Sequence, residues 1–368
     1  MRRFLLPLLL TSFFCIPTAH AQEKVKAKGK PVEMDEATKK ATAKALEWLK
    51  GKQESNGSFS DGPYIHNTAI TAYAMLAFMS QGHLPNQGQY GPEVAKAARF
   101  LVAAQKEDGY LVGARGGNMY NHAMATLALA ELYGQTNDDS LKEPVRKATK
   151  LIVGSQNDDP KYPQDNGGWR YEPTKLGRAD ISVTIMQVMA LRAAKTAGMH
   201  VPDSTKDKAL AYIKRCYKPQ SGGYTYMAGI GTPGFARTAA GLCVLFLSGE
   251  YGDKEGKFAA ATDKATVQKR KENQEIIDKS VGYLKANFNS PSHFYYGHYY
   301  ASHAMHQVDG EWEEWYGRLV QYFVTSGSQS VDGSWTGTNR REVGPVYQTS
   351  IAVIVLSVPA HYLPIFQR

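Results

Sequence analysis

The residues QSVDGSW at 329–335 place a glutamine four positions before a glycine and six before a tryptophan. The same spacing returns in QESNGSF at 53–59, with Gln53, Gly57 and Phe59. QKEDGYL at 105–111 keeps Gln105 and Gly109, with its aromatic, Tyr110, displaced by one. SQNDDPKYPQDNGGWRY at 155–171 keeps Gln156, Gly167 and Trp169 around an insertion. KPQSGGYTY at 218–226 keeps Gly222 and Tyr224 but lacks the spaced glutamine, and NFNSPSHFYYG at 287–297 is a degenerate aromatic copy. Self-similarity of this kind marks a repeat architecture, each copy being one supersecondary unit.

The flanks of the copies agree. Before each lies a segment such as EVAKAARFLVAAQ (93–105) or PVRKATKLIVGSQ (144–156), apolar at i, i+3, i+4 and i+7 with Lys and Arg on the other face. That is the pattern of an amphipathic helix at a surface. After each lies a segment that is apolar or small all round, such as NTAITAYAMLAFM (67–79) or QTSIAVIVLSV (348–358), which is the mark of a buried helix. The unit is therefore an outer helix, a glycine-aromatic loop and an inner helix, repeated six times. Stacked in an open solenoid, the inner helices would expose an apolar concave face; closed in a ring, they form a core. The expected fold is all-α, an (α/α)6 toroid or double α-barrel of six helical hairpins, with almost no sheet. It spans residues 36–368 as a single domain, with a charged insertion at 251–275.

Residues 1–21, MRRFLLPLLLTSFFCIPTAHA, read as a secretory signal peptide: two arginines, a short apolar run, and small residues before a cleavage point near Ala21. Residues 22–35 form a charged leader. The expected location is periplasmic or extracellular. No later apolar run reaches the length of a membrane span. The net charge of +9 is spread along the chain, so nucleic acid is not an expected partner. Cleavage leaves Cys216 and Cys243, which read as buried thiols or as one bridge. No Cys/His spacing fits a structural zinc site, no motif points to a cofactor, and no segment identifies a protein partner.

The Gln-x-x-x-Gly-x-Trp/Phe pattern before a buried helix resembles the "QW" repeat of squalene and oxidosqualene cyclases and the related loops of protein prenyltransferase β subunits. Two copies match in full, three in part and one barely, over about residues 36–358. The resemblance implies an α/α toroid with a central cavity. Triterpene cyclases carry two such barrels, and this chain has room for one. The resemblance also brings Asp180 forward, since class II terpene cyclases protonate their substrate with an aspartate. The cyclase runs Asp-x-Asp-Asp and Asp-Cys-Thr-Ala become Asp180-Ile181-Ser182-Val183 here. Neither the prenyltransferase zinc set nor the thioester motif of complement-type toroids has a match.

In a closed ring the inner helices run parallel, so their N-termini, with their free N–H groups and positive dipole ends, meet at one mouth. Residues near those starts form one candidate constellation: His66, Asn67, Tyr120, His122, Arg178, Asp180, Arg237, His298, Tyr299, His303, Tyr347 and Gln348. Arg340 and the adjacent Arg341, in the loop before the sixth inner helix, are candidates for an anionic group. The ordinary use of Asp180 is an N-cap; the sharper one is a proton donor. A polar ring over an apolar well is the usual make-up of a ligand site. Three functions follow as expectations. The first is a binding or scaffold toroid for a small hydrophobic ligand, isoprenoid-like, or a glycan. The second is a divergent class II cyclase using Asp180. The third is a polysaccharide lyase or glycosidase drawing on loop acids, arginines and histidines.

Overall fold

The computed structural model describes residues 32–252, 263–337 and 342–366. The signal peptide and most of the leader, at 1–31, lie outside the described residues, as do Arg340 and Arg341. Among the described residues twelve α-helices alternate between two layers. The outer ones are α1 (Glu36–Lys50), α3 (Gly91–Ala103), α5 (Asp139–Gly154), α7 (Asp203–Cys216), α9 (Lys264–Ala286) and α11 (Trp312–Val320). The inner ones are α2 (Thr68–Met79), α4 (Met119–Thr136), α6 (Ile181–Thr196), α8 (Phe235–Leu247), α10 (Phe294–Gln307) and α12 (Pro345–Leu356). Among the described residues the one sheet is a two-residue antiparallel pair, Tyr217–Lys218 with Gly223–Tyr224.

The layers follow from composition. Outer helix α5 buries Leu141, Val145, Ala148, Thr149 and Ile152, a single stripe, whereas in α2 every residue except Ala69 is buried. Inner helices pack in chain order, α2 on α4, then α6, α8, α10 and α12, and α12 packs back on α2. The chain is an all-α toroid of six closed hairpins. Residues 264–275, expected within a charged insertion, are the first half of α9.

The repeated loops hold the ring. Each glutamine amide nitrogen donates twice: Gln53 to Gly57 O and Glu93 O, Gln105 to Gly109 O and Pro144 O, Gln156 to Gly167 O and Thr205 O, Gln329 to Gly333 O and Ala41 O, all at 2.8–3.2 Å. One bond closes the turn and the other ties it to the next outer helix. Gln329 reaches α1, so it joins the last hairpin to the first. The fourth loop lacks the glutamine, and there Ser280 Oγ of α9 donates to Gly222 O at 2.9 Å. Gly333 has φ +101°, and a Cβ there would stand 2.7 Å from Lys44 O, so only glycine fits against the neighbouring helix.

In four loops the aromatic is buried in the same way. The backbone N–H of Phe59, Trp169, Tyr224 and Trp335 donates to the hydroxyl of Thr71, Thr184, Thr238 and Thr349 on the following inner helix. Trp335 Nε1 also donates to Phe323 O at 2.9 Å, in the π-helical turn that ends the sixth outer helix. In the second loop Leu111, not Tyr110, fills the slot: it is fully buried and its N–H donates to His122 Nδ1 at 3.1 Å. Cys216 and Cys243 are free and buried.

Candidate ligand cavity

The first turns of all six inner helices line one cavity of about 700 Å³. Side-chain caps shape its rim. Asn67 Oδ1 accepts from the N–H groups of Ala69 and Ile70, and Asn118 Oδ1 from that of Tyr120. Asn121 Nδ2 bridges to Asn67 Oδ1 at 2.9 Å, linking two hairpins at the mouth. Tyr64, Tyr120, Tyr171, Tyr226 and Tyr296 supply ring surface, with Ser182, Ser290 and Ser292 between them. Arg237, His293 and Glu342 are the ionisable side chains in this wall besides the tyrosines.

The floor is aromatic. Tyr73 meets Tyr347 edge-on at 5.0 Å between centroids and Tyr299 at 5.7 Å. Tyr73 is 3% exposed and borders the cavity, and beyond the neighbouring Tyr347 phenol its hydroxyl meets no partner among the described residues. Burial pushes its phenol far above the ordinary range. Beneath this floor, at the opposite end of the barrel, Glu131 accepts from Ile365 N–H at 3.4 Å in the C-terminal segment, and burial raises its carboxyl to about 8.

Asp180 stands behind the wall. It is fully buried and N-caps α6, with Oδ1 accepting from Val183 N–H at 2.9 Å. Its Oδ2 accepts from Tyr226 OH at 3.1 Å, and Tyr226 accepts in turn from Tyr171 OH at 2.6 Å. Burial raises its carboxyl to about 6, against those hydrogen bonds. The cavity therefore meets the two phenols, not the acid. Glu342 lines the cavity and accepts from Tyr295 N–H at 3.2 Å at the uncapped start of α10; burial raises it to about 7. Asp61 does the same service for α12, accepting from Tyr347 N–H at 2.9 Å, and burial raises it to about 6.

The expected constellation divides. Asn67, Tyr120, Arg237 and Tyr347 come together at the cavity, while Tyr299 lies in the floor stack below it. Several candidates face elsewhere. His122 sits between its loop and α5: it accepts at Nδ1 and donates from Nε2 to Ala148 O at 3.2 Å, and burial lowers it to about 4. His298 donates to Phe288 O at 3.0 Å inside a cluster of Phe235, Phe294 and Trp315, and burial lowers it to about 3. His303 is buried against Tyr299 toward the closed end. Arg178 is ion-paired with the buried Asp165 and lies over Tyr162. His66 is held by Ser58 and Glu54 in the first loop. Gln348 is tied to the backbone of Gly337 and Val343. Sequence position alone puts each of these at the mouth; in the structure each instead serves the joints between helix and loop or the packing below. The Tyr171–Tyr226–Asp180 chain and the cap made by Asp61 join residues far apart in sequence, and no local pattern marks them.

Among the described residues no three His, Cys, Asp or Glu side chains gather as a metal site, and no helix is long and apolar enough to cross a membrane.

No protein-family model and no curated protein sequence matches this chain. Solved structures of α/α-toroid proteins do. The α-1,6-mannanase GH76A of Salegentibacter sp. HEL1_6, as an inactive variant in complex with α-1,6-mannotriose, superposes with a TM-score of 0.63 at 12% identity, covering 88% of this chain and 99% of that one. Cellobiose 2-epimerase from Bacillus thermoamylovorans B4167 gives 0.61 at 14% identity over 86% and 98%. The type II terpene cyclase MstE from Scytonema, in complex with geranylgeranyl dihydroxybenzoate, gives 0.56 at 13% identity over 89% and 98%. At such identities the likeness is one of fold.

Proposed function

We propose that this chain is an exported member of the squalene cyclase/prenyltransferase-like repeat proteins whose mouth cavity binds a carbohydrate. The observation that carries the reading is the wall itself: tyrosine rings interleaved with asparagine and serine side chains, beside the apolar Ile70, Met124, Met186 and Phe235. A sugar offers C–H faces to the rings and hydroxyls to the amides. The amide oxygens of Asn67, Asn118 and Asn121 already accept from backbone N–H groups; an isoprenoid would strip water from the polar atoms that remain, at about 1–3 kcal/mol for each one left unpaired. The cavity's 700 Å³ is within the roughly 300–1,000 Å³ of ordinary ligand sites. The mannotriose complex of a mannanase of this fold supports the same choice.

The two enzymatic alternatives draw less from the geometry. A cyclase acid must present its proton to the substrate, whereas both carboxyl oxygens of Asp180 are engaged, one by its helix and one by Tyr226. Glycoside hydrolysis ordinarily uses a carboxyl pair across the scissile bond. Among the described residues the cavity is lined by one carboxyl, Glu342, already bonded to the start of α10. The signal-peptide pattern at 1–21 supports export.

Calorimetric titration of the mature protein with mannotriose, cellotriose and other neutral oligosaccharides, beside geranylgeranyl compounds, tests the reading. The expected result is saturable sugar binding, weakened at least tenfold by Tyr120→Ala with an unchanged melting temperature. Binding of the isoprenoid but of no sugar overturns it.

A further inference from the structure

Three features of the cavity concern charge. The guanidinium of Arg237 lies at the wall, folded back over Gly234: a Cβ on that glycine would stand 2.5 Å from its Nη2. Among the described residues no carboxylate pairs with that guanidinium and none accepts a hydrogen bond from it; the phenol of Tyr283 is the group within its electrostatic reach. Arg178 and Arg146, by contrast, are each held by a carboxylate. The helix that carries Arg237 is also open at its start. The N-cap of α8 is Gly234, which offers no side chain, whereas Asn67, Asn118 and Asp180 cap α2, α4 and α6. Gly234, Phe235, Ala236 and Arg237 all border the cavity, so the positive end of α8 and the arginine face the same space.

A separate observation marks the cavity as built for a polar ligand. Tyr73, on the far side of the inner ring from α8, is 97% buried at the cavity floor, and beyond the neighbouring Tyr347 phenol its hydroxyl meets no partner among the described residues. A buried hydroxyl left unpaired is costly unless something enters to meet it. Among the described residues no carboxylate in the wall is paired with Arg237. Glu342, the carboxyl in the wall, is bonded to the backbone at the start of α10.

From the unpaired Arg237, the open start of α8 and the engagement of the wall's carboxyl, Glu342, at the start of α10, we propose that the cavity selects an acidic glycan. Its carboxylate or sulfate group lies on Arg237 and the first N–H groups of α8. This rests on the carbohydrate reading above and specifies its substrate class. A guanidinium fork matches either oxyanion with two parallel hydrogen bonds. The rings of Tyr120 and Tyr296 are left for the sugar faces.

The experiment compares matched pairs. The mature protein is titrated with trigalacturonate and with its methyl ester, which has the same rings without charge, and with a sulfated galactan trisaccharide and its desulfated form. The acid is expected to bind about tenfold or more tighter than its neutral partner, as a charge-assisted bond implies. The preferred pair says whether the anion is carboxylate or sulfate. In Arg237→Gln the ratio falls toward one; in Arg237→Lys it is intermediate, because charge remains but the fork is lost. Melting temperature is read alongside, so that a folding defect is recognised. Equal binding of acid and neutral forms, or a preference unchanged in Arg237→Gln, overturns this inference and leaves the carbohydrate reading standing. If no sugar of either kind binds, the carbohydrate reading fails, and this inference with it.

Discussion

Replacing Gly333 by alanine drives a wedge into the seam where the ring closes. Gly333 has φ +101°, a region that costs an L-residue about 1–2 kcal/mol. The new Cβ would also stand 2.7 Å from Lys44 O, well inside van der Waals contact. To relieve that, α1 must retreat by several tenths of an ångström. The movement stretches the bond from Gln329 Nε2 to Ala41 O, worth about 1 kcal/mol, and loosens the packing around the buried Trp335. The total expected is about 3–4 kcal/mol. Gly310→Ala is the control: φ is +81°, but a Cβ there meets nothing within 4 Å, so only the strain of about 1–2 kcal/mol applies. At roughly 2.1 cal/mol/K per residue, 1 kcal/mol moves the melting temperature of a chain of this length by about 1.3 °C. Calorimetry should therefore show a fall of about 4–5 °C for Gly333→Ala and about 1–3 °C for Gly310→Ala. Equal shifts would refute the argument, because the seam would then not be tight where the geometry makes it so.

Two other perturbations test the barrel. Glu131 has its carboxyl raised to about 8 by burial, so above its unfolded value near 4.5 the unfolded chain ionises first and stability falls as pH rises. Glu131→Gln keeps an acceptor for Ile365 N–H and removes that pH dependence; its stability, followed by melting temperature, should gain on the wild type from pH 5 to 8, by at most about 1.4 kcal/mol per pH unit, then level off. A difference that does not vary with pH would show that Glu131 is not buried as described. Asp180→Asn keeps the acceptor for Val183 N–H but sets an N–H₂ group against Tyr226 OH, and should cost about 0.5–2 kcal/mol of stability while sugar affinity changes less than threefold. Loss of binding at unchanged stability would mean that Asp180 faces the ligand.

The ring was legible because its cause repeats. The glutamine, glycine and aromatic recur at fixed spacing since, in the copies that keep them, each makes the same contact, and helices apolar on every side have nowhere to go but inward. Unit four shows the limit of the pattern. Its glutamine is missing, and the bond to Gly222 O comes from Ser280, 58 residues later, which no local motif marks. The site was half legible for a similar reason. That the inner helices would converge on a mouth followed from the fold, but which residues of each first turn face the mouth depends on the direction each side chain takes around the helix.

That direction was nonetheless written in the repeats, and His122 shows how. Counting from the N-caps Asn67, Asn118, Asp180 and Gly234, the fourth residue on is Thr71, His122, Thr184 and Thr238, and each accepts from the N–H of the residue buried in its loop. The second and third residues include Ile70, Tyr120, Asn121, Ser182 and Arg237, and these line the cavity. One step along a helix turns the side chain by about 100°, so the third position opens to the mouth while the fourth points at the outer layer. His122 is thus a histidine in a threonine slot, and a threonine should replace it. His122→Thr restores an acceptor for Leu111 N–H and leaves Ala148 O without its donor, for a cost near 1 kcal/mol; His122→Ala loses both and opens a void, for about 2–3 kcal/mol. Both remove a pH dependence. His122 is held near 4 by burial while an unfolded histidine titrates near 6.5, so the wild type loses stability as pH falls from 6.5 to 4, and the variants lose less. Sugar binding at pH 7 should survive in His122→Thr. If it vanished while the melting temperature held, the fourth position would belong to the cavity after all, and the division of each first turn into a face for the ligand and a face for the loop would be wrong.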